Sequence, residues 1–169
     1  LTAQQAGLAL IIQPVIQAMV APFAGKLSDR YPPTIIATAG MFLCTVGLGG
    51  AAMIQADTTM PTIAIIFVIM GLGFGLFSSP NMVSIMGSVE ARFYGVASSI
   101  VATMRSLGML VSMALITVVI GNLFGDKTID SQNRELFITA MRVSFVAFTL
   151  LGILGILFSL GKEKLRLSR

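Results

Sequence analysis

A helix that crosses a lipid bilayer needs about 20 mostly apolar residues, and this sequence supplies five such runs in succession, at 5–24, 34–55, 61–83, 94–121 and 137–160. Lipid offers backbone groups no hydrogen-bonding partner, so runs of this length must satisfy their own amides as helices. The fold class that follows is an all-α membrane protein with five transmembrane helices. Residues 1–161 form the helical region, and 162–169 form a basic tail.

Charge content argues the same way. Only 11% of the 169 residues are charged and 56% are hydrophobic, whereas a soluble domain carries about 25% charged residues. Mean hydropathy is +0.93. The formal charge of +4 does not point to nucleic acid, because the basic residues do not cluster around a soluble fold. Lys162, Lys164, Arg166 and Arg169 follow the last apolar run, which is what positive-inside orientation requires. The lipid bilayer is the expected partner, with a further attraction of this tail to anionic lipid.

Several chemistries fall away. There is no histidine, and Cys44 is the only cysteine and sits within an apolar run. Histidine-based metal sites, acid–base work by histidine and internal disulfides are therefore excluded. No metal or cofactor is expected, and no pairing of a nucleophile with a base suggests an enzyme. The chain opens at Leu1 without the basic n-region and cleavage site of a signal peptide. It is expected to be a piece of something longer.

Orientation follows from lysine and arginine in the short flanks. Lys26, Arg30 and Arg92 join the four tail residues on one side, and Lys127, Arg134 and Arg142 lie on the other. The first side is expected to be cytoplasmic, with the amino end outside and the carboxy end inside. Tyr31 and Tyr94 fall at that inner boundary, where interfacial aromatics belong.

The first inner turn, Gly25-Lys-Leu-Ser-Asp-Arg-Tyr-Pro-Pro33, is the most ordered-looking of the connections. Gly25 permits a tight turn after the first run, and the two prolines suit the first turn of a new helix. Asp29 stands just before that helix, where the macrodipole favours negative charge. Small residues at four-residue spacing mark packing faces in Gly71-x-x-x-Gly75, Gly108-x-x-x-Ser112 and Gly155-x-x-x-Ser159. Pro14, Pro22 and Pro80 add kink points within spans.

Polar residues inside spans are the candidate substrate pathway. Arg105 lies deep in the fourth run, and an intramembrane arginine usually faces the bundle interior or a water-filled cavity. A structural alternative is an arginine bonded to carbonyls freed near Pro80. Gln13 and Gln17 are one turn apart and share a face of the first helix. Ser78, Ser79 and Asn81 bracket Pro80. These groups either line a cavity or join helices by hydrogen bonds. Eleven methionines suit a pocket that adapts to varied apolar ligands, the alternative being that most of them face lipid. No aspartate or glutamate falls in a span, so a proton-binding carboxylate would have to come from outside this chain.

At this point a family resemblance becomes visible. Gly25-x-Leu27-x-Asp29-Arg30 between two spans resembles the loop motif of the major facilitator superfamily. Gln5-Ala-Gly7-Leu-Ala-Leu10 resembles the start of the eighth core helix in the drug:proton antiporters of the fourteen-helix type. Gly71-x-Gly73-x-Gly75 with Pro80, Gly95-Val-Ala97-Ser-Ser, and Met104-Arg105-Ser-Leu107-Gly108 are similar to their later conserved regions. The resemblance covers nearly the whole chain and implies most of a carboxy-terminal half, built from inverted three-helix repeats. The first helix of that half and the entire amino-terminal half would lie elsewhere.

The resemblance implies proton-coupled multidrug efflux by alternating access in a prokaryotic cytoplasmic membrane. Its substrates would be small amphipathic compounds, often cationic, and its partners protons and the amino-terminal half. Gln13, Gln17, Ser79, Asn81 and Arg105 are the pathway candidates, and Gly25, Leu27, Asp29 and Arg30 the loop motif and gate. Tyr31-Pro32-Pro33 replaces the glycine and basic pair usual after that motif, which weakens the basic anchor. Asp29 would latch to a helix end in the absent half, and here would find only local partners such as amides at the start of the second helix. The alternatives are a solute:proton symporter of the same superfamily and a non-transporting truncated membrane module.

Overall fold

The computed structural model describes residues 3–55, 57–125 and 134–167, with side chains described over 7–55, 57–125 and 135–160. Its long helices are α1 (Ala3–Ser28), α2 (Pro33–Ala52), α3 (Met60–Met86), α4 (Tyr94–Phe124) and α5 (Arg134–Leu167). A 3-10 turn, Ala91–Phe93, leads into α4. All five are long and apolar enough to cross a membrane. The all-α membrane bundle expected from the apolar runs is the architecture found. The side chains of the basic tail, together with Lys127 and Arg134, lie outside the described residues.

Local chemistry sets the helix starts. Pro33 occupies the first position of α2 and Pro61 the first turn of α3, where a missing N–H costs nothing. Gly125 ends α4 with φ of 53°, a conformation that L side chains rarely adopt.

The first turn requires a correction. α1 does not stop at Ala24; it runs on through Gly25, Lys26 and Leu27 to Ser28. The Ser28 hydroxyl donates back to the Ala24 carbonyl at 2.9 Å. The chain reverses only after this, with the Asp29 amide donating to Lys26 O (3.3 Å) and the Tyr31 amide to Leu27 O (2.9 Å). Gly25 is helical rather than part of the turn, and it lies beside α3: a Cβ there would be 3.4 Å from Ser79 Oγ, an ordinary contact.

α3 is the centre of the packing. Gly71 and Gly75 face α1, where added Cβ atoms would meet Ile16 and Val20 at 2.8 Å. Gly73 faces α2 instead, and a Cβ there would lie 2.6 Å from the Cys44 amide nitrogen and 2.9 Å from the Gly40 carbonyl. Gly40 is reciprocally blocked by the α3 backbone at Phe77 and Gly73. The two backbones therefore touch almost directly, as small residues permit in lipid. Pro80, on the same helix, is fully buried.

α5 docks along α2 and is held near both ends by polar contacts. Thr38 and Ser159 share a hydrogen bond of 2.6 Å, and Arg142 Nε donates to the Ile54 carbonyl at 3.0 Å. Between them a Cβ on Gly152 would collide with Thr45. α4 is different. It touches α5 and, sparsely, α3, and only Ala97 and Phe124 along it are buried. Gly108 has open space where a side chain would be, so the Gly108-x-x-x-Ser112 spacing is not used for packing among the described residues. Ser112 bonds back to its own helix at Gly108 O, 2.9 Å.

Candidate functional site: a polar-lined cavity between three helices

Successive antiparallel helices bring the ends of α1, α3 and α5 and the starts of α2 and α4 to one side of the bundle. Lys26, Arg30 and Arg92 lie on that side, here called the basic end. Above it, α1, α3 and α4 line an open-sided cavity of about 930 Å³. α1 contributes Gln13 and Gln17, one turn apart as their spacing requires. α3 contributes Phe74, Phe77, Ser78, Asn81, Met82 and Ile85, a continuous stripe at helical spacing. α4 contributes a second stripe that includes Ile100, Val101, Met104, Arg105 and Met109, and Phe93 closes the basic end.

The height of each polar group follows from helix rise. Arg105 is 11 residues into α4 from Tyr94, so about 16 Å from the basic end at 1.5 Å per residue. That is near the middle of a hydrocarbon core of about 30 Å. Counting back the same distance from Met86 on α3 reaches the level of Gly75, against which Gln17 packs. Arg105 and Gln17 therefore share one level, and Gln13, which packs against Gly71, lies one turn farther from the basic end. Asn81 lies nearer the basic end.

Among the described residues, Gln13, Gln17, Asn81 and Arg105 make no side-chain hydrogen bond, and the ion pair found is Glu90–Arg92. The alternative of a structural Arg105 tied to carbonyls near Pro80 thus has no bond to support it. Ser79 is placed apart from the others. It sits against Gly25 between α3 and α1, and Ser78 takes its place in the cavity wall. Asn81 identifies Ser78 in hindsight, since residues three apart share a helix face and residues two apart do not.

A second, smaller cavity of about 350 Å³ lies between α2, α3 and α5. Thr34, Ser84, Ser88 and Ser159 line it, and it shares Phe77, Asn81 and Ile85 with the large one. Three side chains of α3 thus form a common wall. Phe74, Phe77, Met82, Met104 and Met109 escaped the sequence reading as lining residues. The signal that would have found them is the three-and-four spacing that leads from Asn81 and Arg105 along each helix.

At the basic end, Leu27, Asp29 and Arg30 are exposed. No side chain caps α2, so Asp29 does not reach the amides of that helix as anticipated. Its backbone amide bonds to Lys26 O and its carboxylate makes no hydrogen bond among the described residues. Arg92 pairs with Glu90 at 2.9 Å, with both side chains about 70% exposed, and lies over the Phe93 ring at 4.7 Å. An exposed pair of this kind contributes at most about 1 kcal/mol.

Membrane-spanning helices around a polar-lined cavity are an arrangement also found in secondary transporters. The sequence of residues 1–167 matches the Major Facilitator Superfamily model, and the chain belongs to that family. It is 37% identical to the riboflavin transporter RibZ of Clostridioides difficile over 68% of this chain and 25% of that protein. It is 33% identical to the uncharacterized transporter YebQ of Escherichia coli over 72% of this chain and 26% of that one. Lincomycin resistance protein LmrB of Listeria monocytogenes is 24% identical over 68% of this chain and 24% of its own length. The chain thus spans about a quarter of the length of the curated relatives it matches. No solved structure matches it.

Proposed function

We propose that the full-length protein is a secondary active transporter whose substrate passes through the cavity between α1, α3 and α4. The cavity opens alternately to the two sides of the membrane. The observation that carries this reading is the convergence of Gln13, Gln17, Asn81 and Arg105, from three helices, on one apolar-walled space. Its specific form is proton-coupled efflux of several amphipathic compounds, in keeping with the resemblance to the lincomycin resistance protein. No described acidic residue lines the cavity, so the carboxylate that binds the proton belongs to the rest of the transporter.

In this reading the basic end faces the cytoplasm, the amino end lies outside, and the protein resides in the cytoplasmic membrane. Gly25, Leu27, Asp29 and Arg30 form the inner gate with the amino-terminal half, and Asp29 is free to engage it. Ser79 acts there as well, transmitting movement between α3 and the end of α1 through its contact with Gly25. A second reading is a carrier dedicated to one aromatic solute moving with protons. The 37% identity to a riboflavin transporter favours it.

Proteoliposomes holding the full-length protein test the pathway, with riboflavin and lincomycin as solutes and an imposed proton gradient. Gln17→Trp, which fills the cavity, should cut transport at least about tenfold. Leu151→Trp, on the exposed face of α5, should leave it near the wild-type rate. Equal rates for both variants would remove the cavity from the pathway.

A further inference from the structure

We infer that this cavity selects flat aromatic solutes carrying an acidic group and disfavours cations. The inference rests on the cavity being the transport pathway, and it reverses the cationic preference that family resemblance alone implies. Its first ground is the charge inventory. Of the described residues that line the cavity, Arg105 is the one with an acidic or basic side chain. The acidic residues whose side chains are described, Asp29, Asp57, Glu90 and Glu135, all lie in turns or at helix ends.

The second ground is that Arg105 has no partner among the described residues. Among the described residues its guanidinium forms no ion pair and donates no hydrogen bond, although it lies near mid-membrane, where an unpaired charge is costly. A carboxylate entering the cavity would meet a rigid fork of donors that matches its two oxygens. A cation entering the same space would meet like charge in a medium that screens poorly.

The remaining walls fit the rest of such a solute. Gln13, Gln17 and Asn81 each offer a free carboxamide, able both to donate to an anionic head and to accept from a ring N–H. Phe74 and Phe77 give flat faces for an aromatic body, and methionines such as Met104 adjust to its outline. A volume of about 930 Å³ admits a solute of several fused rings.

The test uses two dyes built on one ring system, anionic fluorescein and cationic rhodamine 123, with the full-length transporter in proteoliposomes. The wild type should move fluorescein at least about tenfold faster than rhodamine 123, and Arg105→Gln should erase that preference by slowing fluorescein alone. Arg105→Lys, which keeps the charge and loses the fork, should restore part of the fluorescein rate. Faster rhodamine transport by the wild type, or an equal loss of both dyes in Arg105→Gln, would overturn the inference. So would a folded wild type, verified by its melting profile, that moves neither dye. Gln17→Trp separates the two levels. If it leaves both dye rates intact, the pathway reading itself has failed, whatever the charge preference.

Discussion

α3 and α4 are both long apolar helices, and each contains three glycines, but they use them in opposite ways. In α3, Gly71, Gly73 and Gly75 are all buried, and each is pressed against a neighbouring helix. In α4, Gly95, Gly108 and Gly121 have nothing within 4 Å of where a side chain would be. Spacing explains part of the difference. Gly71 and Gly75 are four apart and share a face, while Gly73 lies about 200° around from either neighbour, so α3 has two docking faces. The α4 glycines are 13 apart, about 220° around the helix at each step, so consecutive ones do not share a face. A glycine count therefore says little about packing; the angle between glycines says more.

The comparison can be broken by substitution. The largest effect is expected for Gly73→Val, because the atoms in its way are the backbone of Cys44 and Gly40 and cannot rotate aside. Overpacking of this kind costs about 1–3 kcal/mol and sometimes more. The full-length variant should give little monodisperse protein and a clearly lowered melting temperature in detergent. Wild-type behaviour would mean that α2 and α3 are farther apart than described.

Arg142→Ala comes next. It removes the half-buried bond to the Ile54 carbonyl, and a hydrogen bond to a charged group contributes about 1.5–3 kcal/mol. Thermal unfolding of the variant should report that loss, and Arg142→Lys should recover only some of it. Ser159→Ala deletes the other α2–α5 link. Its expected cost is about 0.6 kcal/mol, the average for interhelical hydrogen bonds in membranes.

The smallest effect is expected at Gly108→Ala, within about 0.5 kcal/mol of wild type and with either sign. This variant sharpens the contrast most. A loss as large as that of Gly73→Val would show that another part of the full-length transporter packs closely on α4 at this point.

Much of the fold was legible because it depends on properties that neighbouring residues share. The five apolar runs, and the prolines that open α2 and α3, are local signals and needed no partner to interpret. Gln13 and Gln17 were placed on one face by spacing alone. Gly25 was misjudged for the opposite reason. A glycine followed by charges reads as a turn, but this one lies inside α1 beside Ser79, which is 54 positions away in the chain. The same holds for Gly108-x-x-x-Ser112. Its spacing matches that of Gly71-x-x-x-Gly75, and only the position of neighbouring helices distinguishes the two. Ser79 and Ser78 differ by one step around a helix, and the choice required knowing which side of α3 faces Arg105.

The double-faced packing of α3 also has a consequence for the order of events during synthesis. Chains emerge amino end first, so α1 and α2 precede α3 into the membrane, and both surfaces that its glycines fit are already in place. α3 can close a three-helix unit as it arrives, without waiting for later segments. α4 follows with no matching surface to join, and α5 then returns to α2, where Thr38 and Ile54 can receive Ser159 and Arg142. The helix that carries Arg105 is thus the one left unclamped when the rest of this region has assembled.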